Sequence, residues 1–138
     1  MNIRRTIAML GSLAILTCTV PAFAHGGDDK VTPNFEQAIP NLPGKSLIAV
    51  EVDYPPGGAS VPHVHAKSGF IYAYVVSGAI ESKVNDAETK VYKAGQSWSE
   101  PPGAHHSISR NASKTEPAKL LAVFVVDTND KALTTPTK

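Results

Sequence analysis

The chain has 138 residues, of which 13 are Lys or Arg and 12 are Asp or Glu, so its formal net charge is +1 at pH 7. This length is typical of one compact domain. The near-neutral charge, without any basic cluster, gives no electrostatic reason to expect nucleic-acid binding. The single cysteine excludes an internal disulfide and a multi-cysteine zinc site.

The segment 1–24 has the features of a secretory signal peptide. Arg4 and Arg5 form a positive segment, residues 7–20 are apolar, and Ala22-Phe23-Ala24 supplies small residues at a cleavage site. The apolar segment is shorter than the roughly 20 residues that a membrane-spanning helix needs. We therefore predict no membrane span, cleavage after Ala24, and a periplasmic or secreted protein. The arginine pair leaves both general secretion and twin-arginine export open.

Cleavage would change the composition of the exported chain. It removes two arginines, no acid and the only cysteine, and it leaves the segment 25–138 with a formal net charge of −1. An exported domain without disulfides depends on core packing, with a bound metal as a further source of stability. All five histidines remain after cleavage.

The two ends of the mature chain are polar. Residues 25–44 are interrupted by Pro33, Pro40 and Pro43, so we expect an N-terminal extension that crosses the surface, with at most a short strand near residues 35–39. Residues 128–138 are expected to form a loose C-terminal tail.

Residues 45–127 contain short apolar or alternating segments separated by turn residues. Leu47–Tyr54 and Ile80–Val84 alternate between apolar and polar side chains, as half-buried strands do. Leu120–Val126 is apolar on both faces, which is typical of a central strand and is also compatible with burial in a homodimer. The strand spacing of about 8–12 residues predicts an all-β sandwich or barrel.

Four of the five histidines form two close pairs. His63 and His65 are two residues apart, so on a strand both side chains point to the same face. His105 and His106 follow a Pro-Pro-Gly turn, and such a turn determines where the next side chains point. One imidazole from this second pair could complete a three-nitrogen site for one divalent transition metal: Fe, Mn, Ni, Cu or Zn.

Both histidine pairs lie in segments that resemble the two motifs of the cupin superfamily, G-x5-H-x-H-x3/4-E-x6-G and G-x5-P-x-G-x2-H-x3-N. The matching residues are Gly57, His63, His65 and Gly78 for the first motif, and Gly95, Pro101, Gly103 and His106 for the second. The resemblance implies a small antiparallel jelly-roll β-barrel over residues 45–127, similar to RmlC-like and quercetin-dioxygenase-like proteins. It also implies His63, His65 and His106 as metal ligands, with His105 as the near alternative.

The glutamate of the first motif is absent. Its position falls at Gly69, Phe70 or Ile71, depending on the end from which the motif is counted, and none of these is acidic. With three neutral imidazoles alone, a divalent ion would keep nearly two positive charges and one more open coordination position. Such a centre favours anionic, chelating ligands, and the resemblance points to cupins that use dioxygen to cleave diketones or oxidise thiols.

Other side chains are candidates for the pocket or for contacts with the ligands. They are His105, Glu100, Phe70, Ile71, Tyr72, Tyr74 and Trp98. Glu100 could act as a substitute ligand or base, although a surface or turn position before the prolines is the simpler expectation. Phe70 and Ile71 would make the pocket mouth more apolar, and the other three aromatic residues either line the pocket or pack across strands.

Two main functions fit these residues. One is an oxygen-dependent, dioxygenase-like oxidoreductase acting on a small chelating metabolite, with no catalytic residue assigned. The other is non-catalytic binding of a small molecule, a sugar or a metal in the same pocket, because one fold supports many functions. A structural or accessory subunit is a third interpretation. The sequence contains no P-loop, GxGxxG motif or catalytic cysteine.

Overall fold

The computed structural model describes residues 27–138. The signal peptide predicted for residues 1–24 and the histidine at position 25 lie outside these residues. The described chain is built from ten β-strands. They are β1 (Lys30–Ala38), β2 (Lys45–Tyr54), β3 (His63–His65), β4 (Phe70–Ser77), β5 (Ala79–Val84), β6 (Lys90–Lys93), β7 (Ser97–Glu100), β8 (His105–Asn111), β9 (Ala118–Asp127) and β10 (Thr134–Pro136).

The strands form two antiparallel sheets of five strands each. The first sheet has the order β1-β2-β9-β4-β7, and the second has the order β10-β3-β8-β5-β6. From β2 onward the chain passes repeatedly from one sheet to the other, as it does in a double-sheet jelly roll. The predicted all-β jelly-roll fold is confirmed. Among residues 27–138, no helix is long and apolar enough to cross a membrane.

The hydrophobic core lies between the two sheets. Strands β2 and β9 pair from Lys45 opposite Asp127 to Tyr54 opposite Ala118, and their alternate side chains point into the core. The buried core residues on these two strands include Ile48, Val50, Val52, Leu120, Ala122, Phe124 and Val126. Full burial of such an aliphatic or aromatic side chain contributes about 1.5–3 kcal/mol. Strand β9 lies in the middle of the first sheet. The apolar pattern of residues 120–126 is therefore that of a central strand, as expected.

The N-terminal extension contains a longer strand than the sequence predicts. The sequence predicts a short strand near residues 35–39, whereas β1 has nine residues and pairs with β2 along the edge of the first sheet. Its register shifts between Pro33 and Phe35, where proline has no N–H to donate to the ladder. Most of β1 is exposed, which is why its sequence lacks a strong apolar pattern.

The prediction of a loose C-terminal tail is wrong for residues 133–136. Leu133 is fully buried in the core, and the short strand β10 pairs with β3, placing Thr134 opposite His65 and Pro136 opposite His63. The carbonyl of Leu133 also accepts a hydrogen bond from the amide of Ala66 at 3.1 Å. A three-residue strand with one apolar anchor carries too little periodicity to be recognised in the sequence.

We expect Leu133→Ala to lower the free energy of unfolding by about 2–4 kcal/mol, because it leaves a cavity in the core. The measurement is urea-induced unfolding of the variant and the parent protein. Leu42→Ala is the matched control, since Leu42 is 46% exposed, and its effect should stay within about 0.5 kcal/mol. Equal effects of the two substitutions would contradict the packing of the C-terminal segment.

Candidate metal centre

The alternation of side chains on β3 turns both of its histidines toward the interior. His63 and His65 are buried, whereas Val64 between them is only half-buried. Strand β8 lies beside β3 and places His106 directly opposite His63. Their ring centroids are 4.8 Å apart for His63 and His65, 5.3 Å for His63 and His106, and 5.9 Å for His65 and His106. One ligand atom from each ring lies within 4.8 Å of the others.

The turn before β8 determines which histidine of the second pair enters the interior. The Ala104 amide donates to the Pro101 carbonyl at 3.1 Å, and Gly103 adopts a φ of 70°, which favours glycine. The His65 amide donates to the Ala104 carbonyl at 2.9 Å, so the turn is tied to β3. His106 consequently faces inward, whereas His105 is exposed.

Glu100 lies inside the centre, so the expectation of a surface or turn position is wrong. Its side chain is 2% exposed, with Oε2 at 2.9 Å from His65 Nε2 and Oε1 at 3.4 Å from His106 Nδ1. Trp98 Nε1 donates to Oε1 at 3.0 Å. This position agrees with the alternative in which Glu100 acts as a substitute ligand or base. The missed signal is the alternation in Ser97-Trp98-Ser99-Glu100, which puts Trp98 and Glu100 on one face of β7.

Hydrogen bonds orient two of the three imidazoles. His63 Nδ1 lies 2.8 Å from the Val61 carbonyl, which accepts its proton and leaves Nε2 with a lone pair. His106 Nε2 lies 2.9 Å from Ser82 Oγ. Contacts of this kind fix the ring orientation of metal-binding histidines and tune their basicity.

The third imidazole and the carboxylate contain buried polar atoms without hydrogen-bond partners. These atoms are His65 Nδ1, His65 Nε2 and Glu100 Oε2. Although His65 Nε2 and Glu100 Oε2 are 2.9 Å apart, their geometry is not that of a hydrogen bond. An unsatisfied buried polar group costs roughly 1–3 kcal/mol. A bound cation would satisfy Glu100 Oε2 and one of the two His65 nitrogens. The donors present therefore fit a metal ion.

The electrostatics of the centre also suit a cation. Burial lowers the pKa of His63 and lowers that of His106 to about 4, so both rings are neutral at neutral pH, as metal ligation requires. Burial by itself raises the pKa of Glu100. The close interactions of its ionised carboxylate with His65 and His106, together with the hydrogen bond from Trp98, outweigh burial and lower that pKa to about 2. Glu100 is therefore ionised next to the neutral ring of His106, a donor environment that suits several first-row transition metals.

A cavity of about 60 Å³ adjoins the centre between the two sheets. Its walls are mostly apolar and include Val50, Val52, Ile71, Leu120 and Phe124. Its polar lining outside the centre consists of Asp29, Tyr54, Ser60, Ser109 and Thr134. The Tyr54 hydroxyl lies 2.8 Å from both Ser60 Oγ and Ser109 Oγ. Burial raises the pKa of Tyr54 to about 12, so the phenol stays protonated.

The remaining predicted pocket residues are divided between the two faces of the first sheet. Ile71 lines the cavity, as expected, but Phe70 and Tyr72 are 46% and 44% exposed on the opposite face, because side chains alternate along β4. Tyr74 follows the same alternation and is half-buried.

Trp98 on β7 faces inward, and its ring lies 6.4 Å from that of His106. It also borders a second cavity of about 230 Å³ outside the centre.

The family model described as a cupin domain matches residues 50–124, more than half of the chain. The chain belongs to the cupin family. The resemblance noted from its two motifs is thereby confirmed, and the matched residues include His63, His65, His106 and Glu100.

This cupin is similar to the germin-like protein subfamily 2 member 2 of Arabidopsis thaliana, with 33% identity over 92 residues, which cover 64% of this chain and 41% of that protein. The chain thus spans about two fifths of the length of that curated relative. Among solved structures, it is similar to an RmlC-like cupin from Shewanella frigidimarina NCIMB 400, with a TM-score of 0.53, 28% identity, and coverage of 76% of this chain and 82% of that one. An oxalate oxidase in complex with the substrate analogue glycolate shares the fold, with a TM-score of 0.56, 24% identity, and coverage of 72% and 51%.

We expect His63→Ala, His65→Ala and His106→Ala each to lose most of the bound metal, because each removes one of the three clustered imidazoles. His105→Ala is the matched control and should keep most of it, because His105 is exposed. The measurement is elemental analysis after incubation with Mn, Fe, Ni, Cu or Zn and desalting. Loss of metal in His105→Ala, with retention in His106→Ala, would contradict this arrangement.

Proposed function

We propose that this protein is an exported cupin that binds one divalent transition metal through His63, His65 and His106. We propose further that it uses the metal for the oxygen-dependent oxidation of a small chelating metabolite. The observation that carries this proposal is the cluster of three buried imidazoles, with unsatisfied nitrogens on His65, at the wall of a small apolar cavity. Buried polar groups normally have partners, and a metal is the partner that three converging imidazoles share.

The chain's own residues prepare the site for such chemistry. When bound, a divalent transition metal would supply Lewis-acid and redox chemistry. Val61 and Ser82 hold the rings of His63 and His106 in place. The apolar wall formed by residues such as Ile71 and Phe124 keeps water out, and electrostatic interactions inside the cavity are correspondingly strong.

The size of the cavity limits the substrate. Its volume of about 60 Å³ is far below the roughly 300–1,000 Å³ of pockets that hold drug-sized ligands. A small diketone, thiol or hydroxy acid fits this limit better than a flavonol does. The glycolate in the oxalate oxidase of the same fold belongs to this size class. We therefore propose a small chelating anion of a few carbon atoms as the ligand.

Non-catalytic binding in the same pocket is the second candidate function. It is favoured by the Tyr54 hydroxyl, which is already paired with Ser60 and Ser109 and is not directed at a reacting group. A small molecule or a metal suits this cavity better than a sugar, because a sugar needs more volume and more free hydrogen-bonding groups than the apolar walls supply.

Oxygen consumption separates these two functions. We expect the metal-loaded protein to consume oxygen with at least one of 2,4-pentanedione, 3-mercaptopropionate and glycolate, and not with a flavonol, because only the small compounds fit the cavity. The measurement uses an oxygen electrode, and His63→Ala treated with the same metal is the control. Saturable binding of these small compounds without oxygen consumption would establish the non-catalytic function instead.

We propose export to the periplasm on the basis of the charge and apolar pattern of the segment 1–24. If the proposal is correct, intact mass spectrometry of the periplasmic fraction should detect a chain that begins at His25. The cytoplasmic fraction should contain little of the protein. A full-length chain that begins at Met1 and stays in the cytoplasm would contradict both the cleavage site and the location.

The homodimer stays a prediction, and the outer face of the first sheet is the surface that supports it. On this face, Phe70 lies opposite Val125 and Tyr72 lies opposite Val123, and all four side chains are at least partly exposed. A second copy of the chain would cover this apolar surface.

A further inference from the structure

The position of the missing motif glutamate is occupied by an apolar residue that lies directly opposite a buried acid. Counting back from Gly78 places the motif glutamate at Ile71. In the pairing of β4 with β7, Ile71 is the register partner of Glu100. Both side chains point into the interior, with 1% and 2% of their surface exposed. Directly opposite residues of antiparallel strands have Cβ atoms about 4.5–5.5 Å apart. A side chain at either position therefore reaches the same region of the interior.

We propose that Glu100 is the fourth protein donor to the metal, and that the carboxylate expected on β4 is supplied here from the neighbouring position on β7. This inference rests on the metal centre of the proposed function and adds a donor from a different strand. The structure thus replaces the three-imidazole centre expected from the motif with one that contains three imidazoles and a carboxylate.

The two oxygens of Glu100 have different surroundings. Oε1 accepts a hydrogen bond from Trp98 Nε1 and lies 3.4 Å from His106 Nδ1. Oε2 is buried, has no hydrogen-bond partner and lies 2.9 Å from the likewise unpartnered His65 Nε2. Trp98 therefore orients the carboxylate, while Oε2 stays free to bind. Burial of an ionised carboxylate is strongly unfavourable unless a counter-charge compensates it.

The backbone connects Glu100 closely to the strand that carries His106. Glu100 ends β7 and directly precedes the Pro-Pro-Gly turn, and His106 lies two residues after Ala104, where that turn closes. One turn thus connects two of the four donors. Glu100 belongs to the first sheet, whereas the three histidines belong to the second. A metal bound to all four would link the two sheets across the core.

A carboxylate donor changes the class of ligand that the metal would accept. A divalent ion held by three neutral imidazoles and Glu100 keeps one net positive charge instead of two. A monoanionic chelator would then make the centre neutral, which is favourable in an apolar cavity. The preferred ligand is therefore a monoanion, such as an enolate or a 2-hydroxycarboxylate, and not a dianion.

The test compares Glu100→Gln with the exchange variant Ile71→Glu/Glu100→Ile, which moves the carboxylate back to β4. Co²⁺ is the probe, and the readouts are its visible absorption spectrum and its affinity measured by competition with a chelator. Glu81→Gln is the matched control, because Glu81 pairs with Arg110 on the outside of β5. Thermal unfolding of the apo proteins checks that each variant folds.

We expect Glu100→Gln to change the Co²⁺ spectrum and to weaken Co²⁺ binding at least 100-fold, more than the roughly 10–100-fold typical of losing a group that only orients a ligand. The exchange variant should regain binding to within about tenfold of the parent protein, which a merely structural role of Glu100 would not allow. Glu81→Gln should match the parent protein.

An unchanged Co²⁺ spectrum in Glu100→Gln would overturn the assignment of Glu100, whatever the affinity, and leave the three-histidine centre intact. Failure of the parent protein to bind Co²⁺, Mn²⁺, Fe²⁺, Ni²⁺, Cu²⁺ or Zn²⁺ would instead overturn the proposed function itself.

Discussion

The pairing of β3 with β8 is the interaction on which the candidate centre depends. Strand β3 has three residues, and two of them are the inward-facing histidines, so it offers little apolar surface of its own. It is held between β8 and β10, and its register with β8 places His63 opposite His106. A shift of one residue in this register would exchange the inward and outward side chains. The hydrogen bond from His65 to the Ala104 carbonyl secures that register at the turn.

The centre concentrates polar groups at a place where the rest of the interior is apolar. His63, His65, His106 and Glu100 are all buried, and they lie next to the aliphatic and aromatic core of β2 and β9. Partners such as Ser82 and Trp98 satisfy some of these groups but leave both ring nitrogens of His65 without one. Selection for stability alone would favour apolar residues there, so this arrangement supports the proposed metal site.

Much of the fold and part of the site can be predicted from sequence because they depend on local patterns. Alternation identifies β2, β5 and the shared face of His63 and His65, and glycine and proline mark the turns between strands. The sequence leaves the position of Glu100 open between a ligand and a surface residue, because the adjacent prolines indicate a turn. Its pairing opposite the buried Ile71 decides that Glu100 lies inside. The strand β10 is not predicted because its contribution comes from one buried side chain, Leu133, and not from a repeating pattern.

The sequence by itself determined that this chain forms an antiparallel β-structure with a two-histidine face, because side-chain alternation follows from the backbone geometry of a strand. Only the tertiary structure decided that His106 and not His105 joins this face. It also decided that Glu100 lies opposite Ile71, the position at which the motif glutamate is absent. Both decisions depend on which strands pair and in what register. Hydrogen bonds between segments distant along the chain set that register, so no local pattern contains it.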